Sequence, residues 1–548
     1  MNGDSVRWPH LARRHDIVTW AQRVDAPADL PRLVRQLVDQ TNDQVVELQM
    51  RADEGVRLQG YDGVSRALRG SPFVPDGFAV WEMGTSDDPK GKADDDYSKR
   101  TADPRGVKPE ETTFVFVTPR SWPGKGDWAN EKREEGAWAN VVALDVDDID
   151  QAFERAPAAH VWFSELVGVP AQGAQSLTRW WDRFSQLSSP PLTPALALAG
   201  RADAAAALLL ALDAPPQVIT VSAQDEEELL VFVAAVVLSG ADPDRVRALD
   251  YRSIIVKDAY SLQRLEHAPD SLVLVPYHDE LRREARLVKD HHVVLRTDEG
   301  GASIDIPPID IESFQAVLLA DGVPEQRALE LARLAHRSIY AFQRATPVAD
   351  LPAPSWVDRL NSPVARRAWL VGRWDQRRSG DTDALAELFA RPYDAAQEEL
   401  LPLASGTDPL LVRVGETWTV TSVDDAWRFG HSRLDVADLT AYEALIQVVL
   451  ASVDPRLELP IAERWMAGIY GKTPIYSGDL RRGVAEMLAL FGAKGLDVSV
   501  GAVGIQTWLH GVLRRLFARA NDDLTGQLWA SLTDVLPMLA EAAPDVFL

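Results

Sequence analysis

Between Gly60 and Thr101 the chain gathers side chains that can handle a phosphodiester. Asp62 stands in a Gly60-Tyr61-Asp62-Gly63 run, and Glu82 closes the apolar stretch Val80-Trp81-Glu82. Lys90-Gly91-Lys92 and Asp96-Tyr97-Ser98-Lys99-Arg100 follow. Metal-dependent phosphodiester cleavage needs carboxylates to hold a hard cation and a lysine to orient or activate water. Asp62 and Glu82 converge on one such ion if Asp62 sits at a strand tip and Glu82 near the end of the next strand. The turn residues Pro75-Asp76-Gly77 lie between them. The plain alternative is a turn aspartate, a solvated glutamate and, over residues 87–100, a charged loop. Arg100 and Arg120 could contact phosphates or simply neutralise the acidic stretches beside them.

These residues need a sheet to position them. Strand-like runs are predicted at 45–50, 56–61, 78–81, 113–118 and 141–146, with turn residues such as Asp53-Glu54-Gly55 and Pro123-Gly124 between them. Helices are predicted at 29–39 and 149–156. The result is an α/β domain over residues 1–167.

The Asp62–Glu82 segment resembles the core of the PD-(D/E)xK restriction-endonuclease-like superfamily, as found at the N-terminus of large bacterial defence proteins. The resemblance covers about the first 165 residues and implies Asp62 as first and Glu82 as second metal ligand, Mg²⁺ or Mn²⁺ as cofactor, and a nucleic-acid partner, DNA first. The family's lysine two residues after the glutamate is Gly84 here. Lys92 or Lys99, on the following helix, would have to supply it.

A second α/β rhythm is expected over residues 168–346, with strands at 195–199, 218–221, 253–256, 272–275 and 293–295 separated by helices such as 226–238 and 280–288. It resembles the NTPase modules of STAND and AAA+ proteins, with 324–345 as a lid helix. A phosphate-binding loop requires two spaced glycines, lysine and a hydroxyl. The expected place, residues 200–207, reads Gly-Arg-Ala-Asp-Ala-Ala-Ala-Ala, and the strand 272–277 ends in Pro276-Tyr277 instead of carboxylates. Gly471-Lys472-Thr473 lies between helices. The resemblance therefore implies a degenerate NTPase-like domain, with no nucleotide expected.

The proline-rich stretch 347–354 leads into a third region, residues 355–548, mostly helical. Helices are predicted at 363–377, 383–388, 439–452, 461–469, 477–491 and 506–518. A hairpin over 410–420, with a Gly415-Glu416 turn, suggests a winged-helix-like element. His291-His292 opens a strand, where neighbours point to opposite faces and cannot grip one metal. Asp145, Asp147, Asp148 and Asp150 read as a helix N-terminus. Trp122, Trp128 and Trp138 read as loops packed on the sheet, with base stacking as the alternative.

Composition bounds the rest. The 548-residue chain contains no cysteine, which removes thiol nucleophiles, disulfides and cysteine-ligated zinc. Its 57 basic and 82 acidic side chains leave a net charge of -25, which opposes a surface that hugs nucleic acid. Without an apolar leader or a long unbroken apolar run, a cytoplasmic protein with no membrane partner is expected. The expectation is a Mg²⁺-dependent nuclease effector of anti-phage defence, regulated by its later regions and working with a protein partner or as a homo-oligomer. The competing one is an inactive nuclease-fold scaffold that binds a partner through its helical half.

Overall fold

The computed structural model describes residues 11–50, 60–223, 225–240, 242–268, 271–297, 302–348, 351, 353–405 and 408–547. The chain forms two compact units, Met1–Ser185 with Thr193–Pro307 and Gln186–Leu192 with Pro308–Leu548. The class is mixed α/β with extensive helix.

The first sheet starts from α1 (Ala26–Thr41), which buries Leu30, Leu33, Val34, Leu37 and Val38. Strands β1 (Val45–Met50), β2 (Gly63–Ala67) and β3 (Gly77–Met83) form an antiparallel meander. Helix α2 (Pro89–Ala102) crosses to β4 (Thr113–Val117), and α3 (Lys125–Glu134) crosses to β5 (Asn140–Leu144), both strands parallel to β3. The sheet order is β1-β2-β3-β4-β5. Every residue of β4 is buried, as the apolar run Phe114–Val117 requires of a strand covered on both faces. Alternation splits β3: Ala79, Trp81 and Met83 join the core with α1 and α4 (Val146–Phe153), while Val80 faces a cluster of Tyr97, Phe114, Phe116, Trp122, Trp128 and Trp138. The three tryptophans are thus packing residues. Trp128 and Trp138 also donate to Asp94 Oδ1 at 2.8 Å and Thr101 Oγ1 at 2.9 Å.

Two expectations shift here. The turn 53–55 and residues 56–59 of the anticipated strand lie outside the described residues, and Asp62 comes immediately before β2. Gly63 permits the pairing: a Cβ there would come within 2.0 Å of Met50 Sδ on β1. Asp145 caps α4 as expected but is buried, its carboxylate held by the Trp122 N–H at 2.9 Å and by Lys125 at 2.6 Å.

In the same unit, β7 (Val218–Ser222), β8 (Ser253–Val256), β9 (Val273–Pro276), β10 (His292–Thr297) and β11 (Ile304–Asp305) form a parallel sheet, edged by the antiparallel β6 (Ala174–Ser176). Its order is β11-β7-β10-β9-β8-β6. Helix α5 (Glu226–Leu238) follows β7 and is buried along almost its whole length. The strand expected at 195–199 is instead the short helix Pro194–Ala197, with Thr193 as cap and proline in its first turn. Alanine and leucine after a threonine cap and a first-turn proline favour helix over strand. His291 is fully buried. Its Nδ1 accepts from the Leu272 N–H at 3.2 Å and its Nε2 pairs with the Leu265 carbonyl at 2.8 Å, so it is a structural residue.

The second unit is helical around one core. The expected lid helix is two helices, α6 (Glu325–Arg337) and α7 (Ile339–Ala345), because Ser338 is extended and caps the second. Helix α8 (Pro363–Val371) stops short of 377. Gly372 turns the chain at φ 75°, and a Cβ there would lie 2.7 Å from the Gly483 carbonyl. The anticipated hairpin is present as β13 (Leu411–Val414) and β14 (Thr417–Val420), joined by β12 (Arg373–Asp375), with Trp374 stacked on Trp418 at 5.6 Å. Helix α9 (Val423–Gly430) follows the hairpin. The stretch Val436–Glu458 is apolar and long enough to cross a membrane. Its helix α10 (Val436–Leu450) instead packs Leu439, Tyr442, Ile446 and Val449 into this core, and its fully buried Asp438 takes hydrogen bonds from Arg366 at 2.9 Å and Arg367 at 2.7 Å. Residues 461–469, expected as helix, hold only a 3₁₀ turn, Ile461–Met466, bounded by Pro460 and Ala467.

Candidate functional site

The register between β2 and β3 places Gly63 opposite Trp81, and hence Asp62 opposite Glu82. The Asp62 N–H donates to the Trp81 carbonyl at 3.0 Å, and Asp62 Oδ2 accepts from the Met83 N–H at 2.9 Å. Opposed residues of an antiparallel pair share a face. For Glu82 that is the face of Val80, covered by α2.

Helix α2 starts where its sequence dictates. Asp88 caps it by accepting from the Gly91 N–H at 3.0 Å, and Pro89 occupies the first position. The i,i+4 pairs Lys90–Asp94 and Lys92–Asp96, each at 2.7 Å, support it. The run 87–100, whose plain reading was a charged loop, is therefore mostly an ordered helix. Positions 92, 96 and 100 fall along one side of it. Lys92 Nζ lies 2.7 Å from both Asp96 oxygens, and Arg100 donates through Nε to Glu82 Oε1 and through Nη2 to the Gly60 carbonyl.

Glu82 is 3% exposed. Its carboxyl is pushed up to about 7, first by burial and second by the negative charge of Asp62, while Arg100 pulls the other way. The carboxylates of Asp62 and Glu82 are thus close enough to repel, with the charge of Asp96 adding to the effect. Among the described residues no group of three or more Asp, Glu or His is arranged to hold a metal. Two carboxylates suffice for Mg²⁺, which keeps several waters, and hard oxygen donors in mutual repulsion fit such an ion.

The lysine question has a geometric answer at Gly84. A Cβ on Gly84 would lie 2.8 Å from Lys92 Cγ and 3.4 Å from Phe116 Cζ. The stem of Lys92 therefore fills the space into which a side chain at position 84 would project. Lys99, two turns further along α2, is exposed. Asp62, Glu82 and Lys92 share one corner of the fold, and Lys99 is not drawn into it. Asp96 and Arg100 complete the corner. Their i+4 and i+8 spacing from Lys92 was the available signal. Arg120, the other candidate phosphate contact, instead donates to the Thr85 and Ala21 carbonyls, both at 2.9 Å. Lys92→Met is expected to lower metal-dependent plasmid cleavage by about a hundredfold, the lower end for a positioned proton-handling group, and Lys99→Met to change it less than about twofold. Equal losses in the two variants would remove Lys92 from the site.

The parallel sheet bears on the nucleotide reading. A phosphate loop joins a strand directly to a helix, and here that junction is β7 to α5. Residues 202–207 are instead the first turns of the helix Ala202–Asp213, with Arg201 before them. At the β7–α5 junction stand Asp225, Glu226, Glu227 and Glu228. Asp225 caps α5 at 2.7 Å from the Glu228 N–H, and burial pushes its carboxyl up to about 7. Glu226 pairs with Arg296 at 3.1 Å, Glu227 accepts from the Tyr277 hydroxyl, and Glu228 pairs with the buried Arg201. The helix N-terminus is thus served by the chain's own carboxylates, which repel phosphate. Lys472 is paired with Glu458. Millimolar Mg-ATP is expected to shift the Tm by less than about 1 °C in a thermal-melt assay, because a ligand that binds neither state leaves stability unchanged. Compared with known proteins, the sequence matches no protein-family model and no curated protein.

Proposed function

We propose that this chain is a divalent-metal-dependent nuclease of the PD-(D/E)xK kind, acting on DNA as an effector of bacterial anti-phage defence. One observation carries the reading: Asp62 and Glu82 oppose each other on paired strands, with the Lys92 stem over Gly84 beside them. Asp62 and Glu82 would hold Mg²⁺ or Mn²⁺. When bound, that ion supplies neutralisation of charge at the scissile phosphate and activation of water. Lys92, held by Asp96, orients the attacking water. Glu82 must give up its proton to act as a ligand, so activity rises as pH passes through about 7. The net charge of -25 opposes approach of a polyanion, so a partner or an assembly supplies the basic surface. The restriction-endonuclease-like first sheet, the degenerate NTPase-like second sheet and the winged-helix-like hairpin belong to the same proposal, the latter two as regulatory parts. Supercoiled plasmid incubated with Mg²⁺ or Mn²⁺ tests it. Wild type should nick or degrade the DNA, and Asp62→Ala and Glu82→Ala should not. Cleavage that survives both substitutions removes the site.

A second reading has its own support. Arg100 already neutralises Glu82, and the second unit exposes Ile461 at 81%, Trp465 at 80% and Ile469 at 78%. Exposed apolar groups of this size suit a partner interface. An inactive scaffold that docks through its helical half leaves the plasmid intact under every metal condition.

A further inference from the structure

The Glu82 carboxylate already has a cation against it. Arg100 reaches back from the last turn of α2, and its guanidinium bridges Glu82 Oε1 and the Gly60 carbonyl while lying 5.0 Å from the centre of the Tyr61 ring. The two side chains of the pair are 7% and 3% exposed. Burying a guanidinium is costly unless carboxylate, carbonyl and ring face together replace its water, and here all three do. Gly60 is shaped around it: the backbone sits at φ +99°, and a Cβ would come within 3.0 Å of Arg100 Nη1.

The atoms that Arg100 bridges are a carboxylate oxygen and a backbone carbonyl oxygen, the hard donors that Mg²⁺ and Mn²⁺ prefer. Asp62, two residues from Gly60, adds a third such group. A guanidinium and a divalent ion cannot both lie within bonding distance of the same oxygens. We propose that Arg100 is a built-in competitor for the divalent cation at Asp62 and Glu82, so that metal loads only when the arginine swings out. The inference rests on the metal-site reading above and adds the regulation of that site. A receiving group is at hand. Asp103, three residues on, is an exposed carboxylate at the C-terminal end of α2, paired with Arg105 at 2.9 Å. Helix ends are where backbone hydrogen bonds are fewest, so rearrangement there is least costly.

The test is titration of Mn²⁺ into the full chain at pH 8, read by loss of the free-ion electron-paramagnetic-resonance signal. Wild type is compared with Arg100→Gln, Arg100→Lys and Arg100→Gln/Asp62→Asn. Arg100→Gln is expected to bind one Mn²⁺ at least about tenfold more tightly than wild type, and the added Asp62→Asn should abolish the gain. Arg100→Lys should fall between, because a single ammonium cannot span two acceptors as a planar fork does. Affinity unchanged in Arg100→Gln, or a gain that survives Asp62→Asn, overturns the proposal. Should circular dichroism show Arg100→Gln unfolded, Arg100→Lys carries the test, and binding no tighter than wild type overturns it. Cleavage is scored separately. Tight Mn²⁺ binding by Arg100→Gln with intact plasmid keeps the gate and ends the nuclease reading. Cleavage that depends on Asp62 and Glu82, with Mn²⁺ affinity unchanged by Arg100→Gln, does the reverse.

Discussion

Replacing Glu82 by glutamine is expected to cut metal-dependent plasmid cleavage by at least about a thousandfold, and to remove the loss of stability that ionising Glu82 brings between about pH 4.5 and pH 7. The first effect, on the proposed reading, is the loss of a charged metal ligand. Removing roughly 4 kcal/mol of transition-state stabilisation is about three powers of ten in rate. The second follows from burial. The folded-state carboxyl of Glu82 titrates at about 7, above its ordinary 4.5. The folded protein therefore holds this proton more tightly than the unfolded chain does. The contribution of Glu82 to stability is greatest below about pH 4.5, falls as pH rises to about 7, and stays at the reduced level above. A shift of two to three pH units at about 1.4 kcal/mol each is on the order of 3 kcal/mol. Glutamine carries no titrating proton, so Glu82→Gln should gain stability relative to wild type across that window. Urea unfolding at pH 5 and pH 8, beside the cleavage assay, reads both effects. A variant equally destabilised at both values, with cleavage retained, would make Glu82 an ordinary structural residue. A buried carboxylate that costs stability and is needed for activity is the pattern of a functional group.

The second large effect belongs to the helical unit. Arg344, on α7, is 2% exposed in its side chain and bonds both Asp408, at 2.7 Å through its second oxygen contact, and Asp425 on α9, at 2.9 Å. Asp425 is raised above its ordinary range, first by burial, with the charge of Asp408 contributing and Arg344 opposing. Arg344→Met would leave two carboxylates buried side by side with no cation. The expected loss is about 3–5 kcal/mol at neutral pH, or about 10 °C in Tm for a unit of this size. The deficit carries a pH signature. Without Arg344 the buried Asp425 carboxyl loses the cation that pulls it down and titrates higher still in the folded state, so the variant regains stability as pH falls towards the unfolded value of about 3.8. Calorimetry between pH 4 and pH 8 should show the gap narrowing on the acid side. A pH-independent gap would mean that lost packing, and not stranded charge, is responsible. Replacing all three residues with apolar ones (Arg344→Met/Asp408→Leu/Asp425→Leu) should recover most of the loss, because the pair contributes little beyond cancelling its own desolvation.

Much of this was legible in local sequence. Val80-Trp81-Glu82 is an apolar run ending in a carboxylate, and Pro75-Asp76-Gly77 is a turn that returns the chain beside Asp62. Antiparallel pairing then sets the two carboxylates face to face, as the Gly63–Trp81 register does. Asp88-Pro89 announces the start of α2 by cap chemistry, and the apolar run Phe114–Val117 of β4 announces a strand covered on both sides. The failures have equally local causes. The Pro194–Ala197 stretch is apolar in a way that strand and helix share, so length and apolarity misled where alanine and leucine content decided. The phosphate-loop position was misplaced with it, since the junction that matters is β7 to α5.

What the sequence determined by itself is the chemistry available: no thiol, hard oxygen donors at Asp62 and Glu82, a glycine where lysine was wanted, and carboxylates where a nucleotide's phosphates would need amides and lysine. Only the tertiary structure decided how those charges are spent. Hydrophobic periodicity fixes which face a residue turns inward, because burial of apolar area acts on every residue of an element alike. Ion pairing acts between single atoms at a few ångströms, so it depends on how elements dock. It therefore took the packing of α2 on β3 to set Arg100 against Glu82 and Lys92 over Gly84.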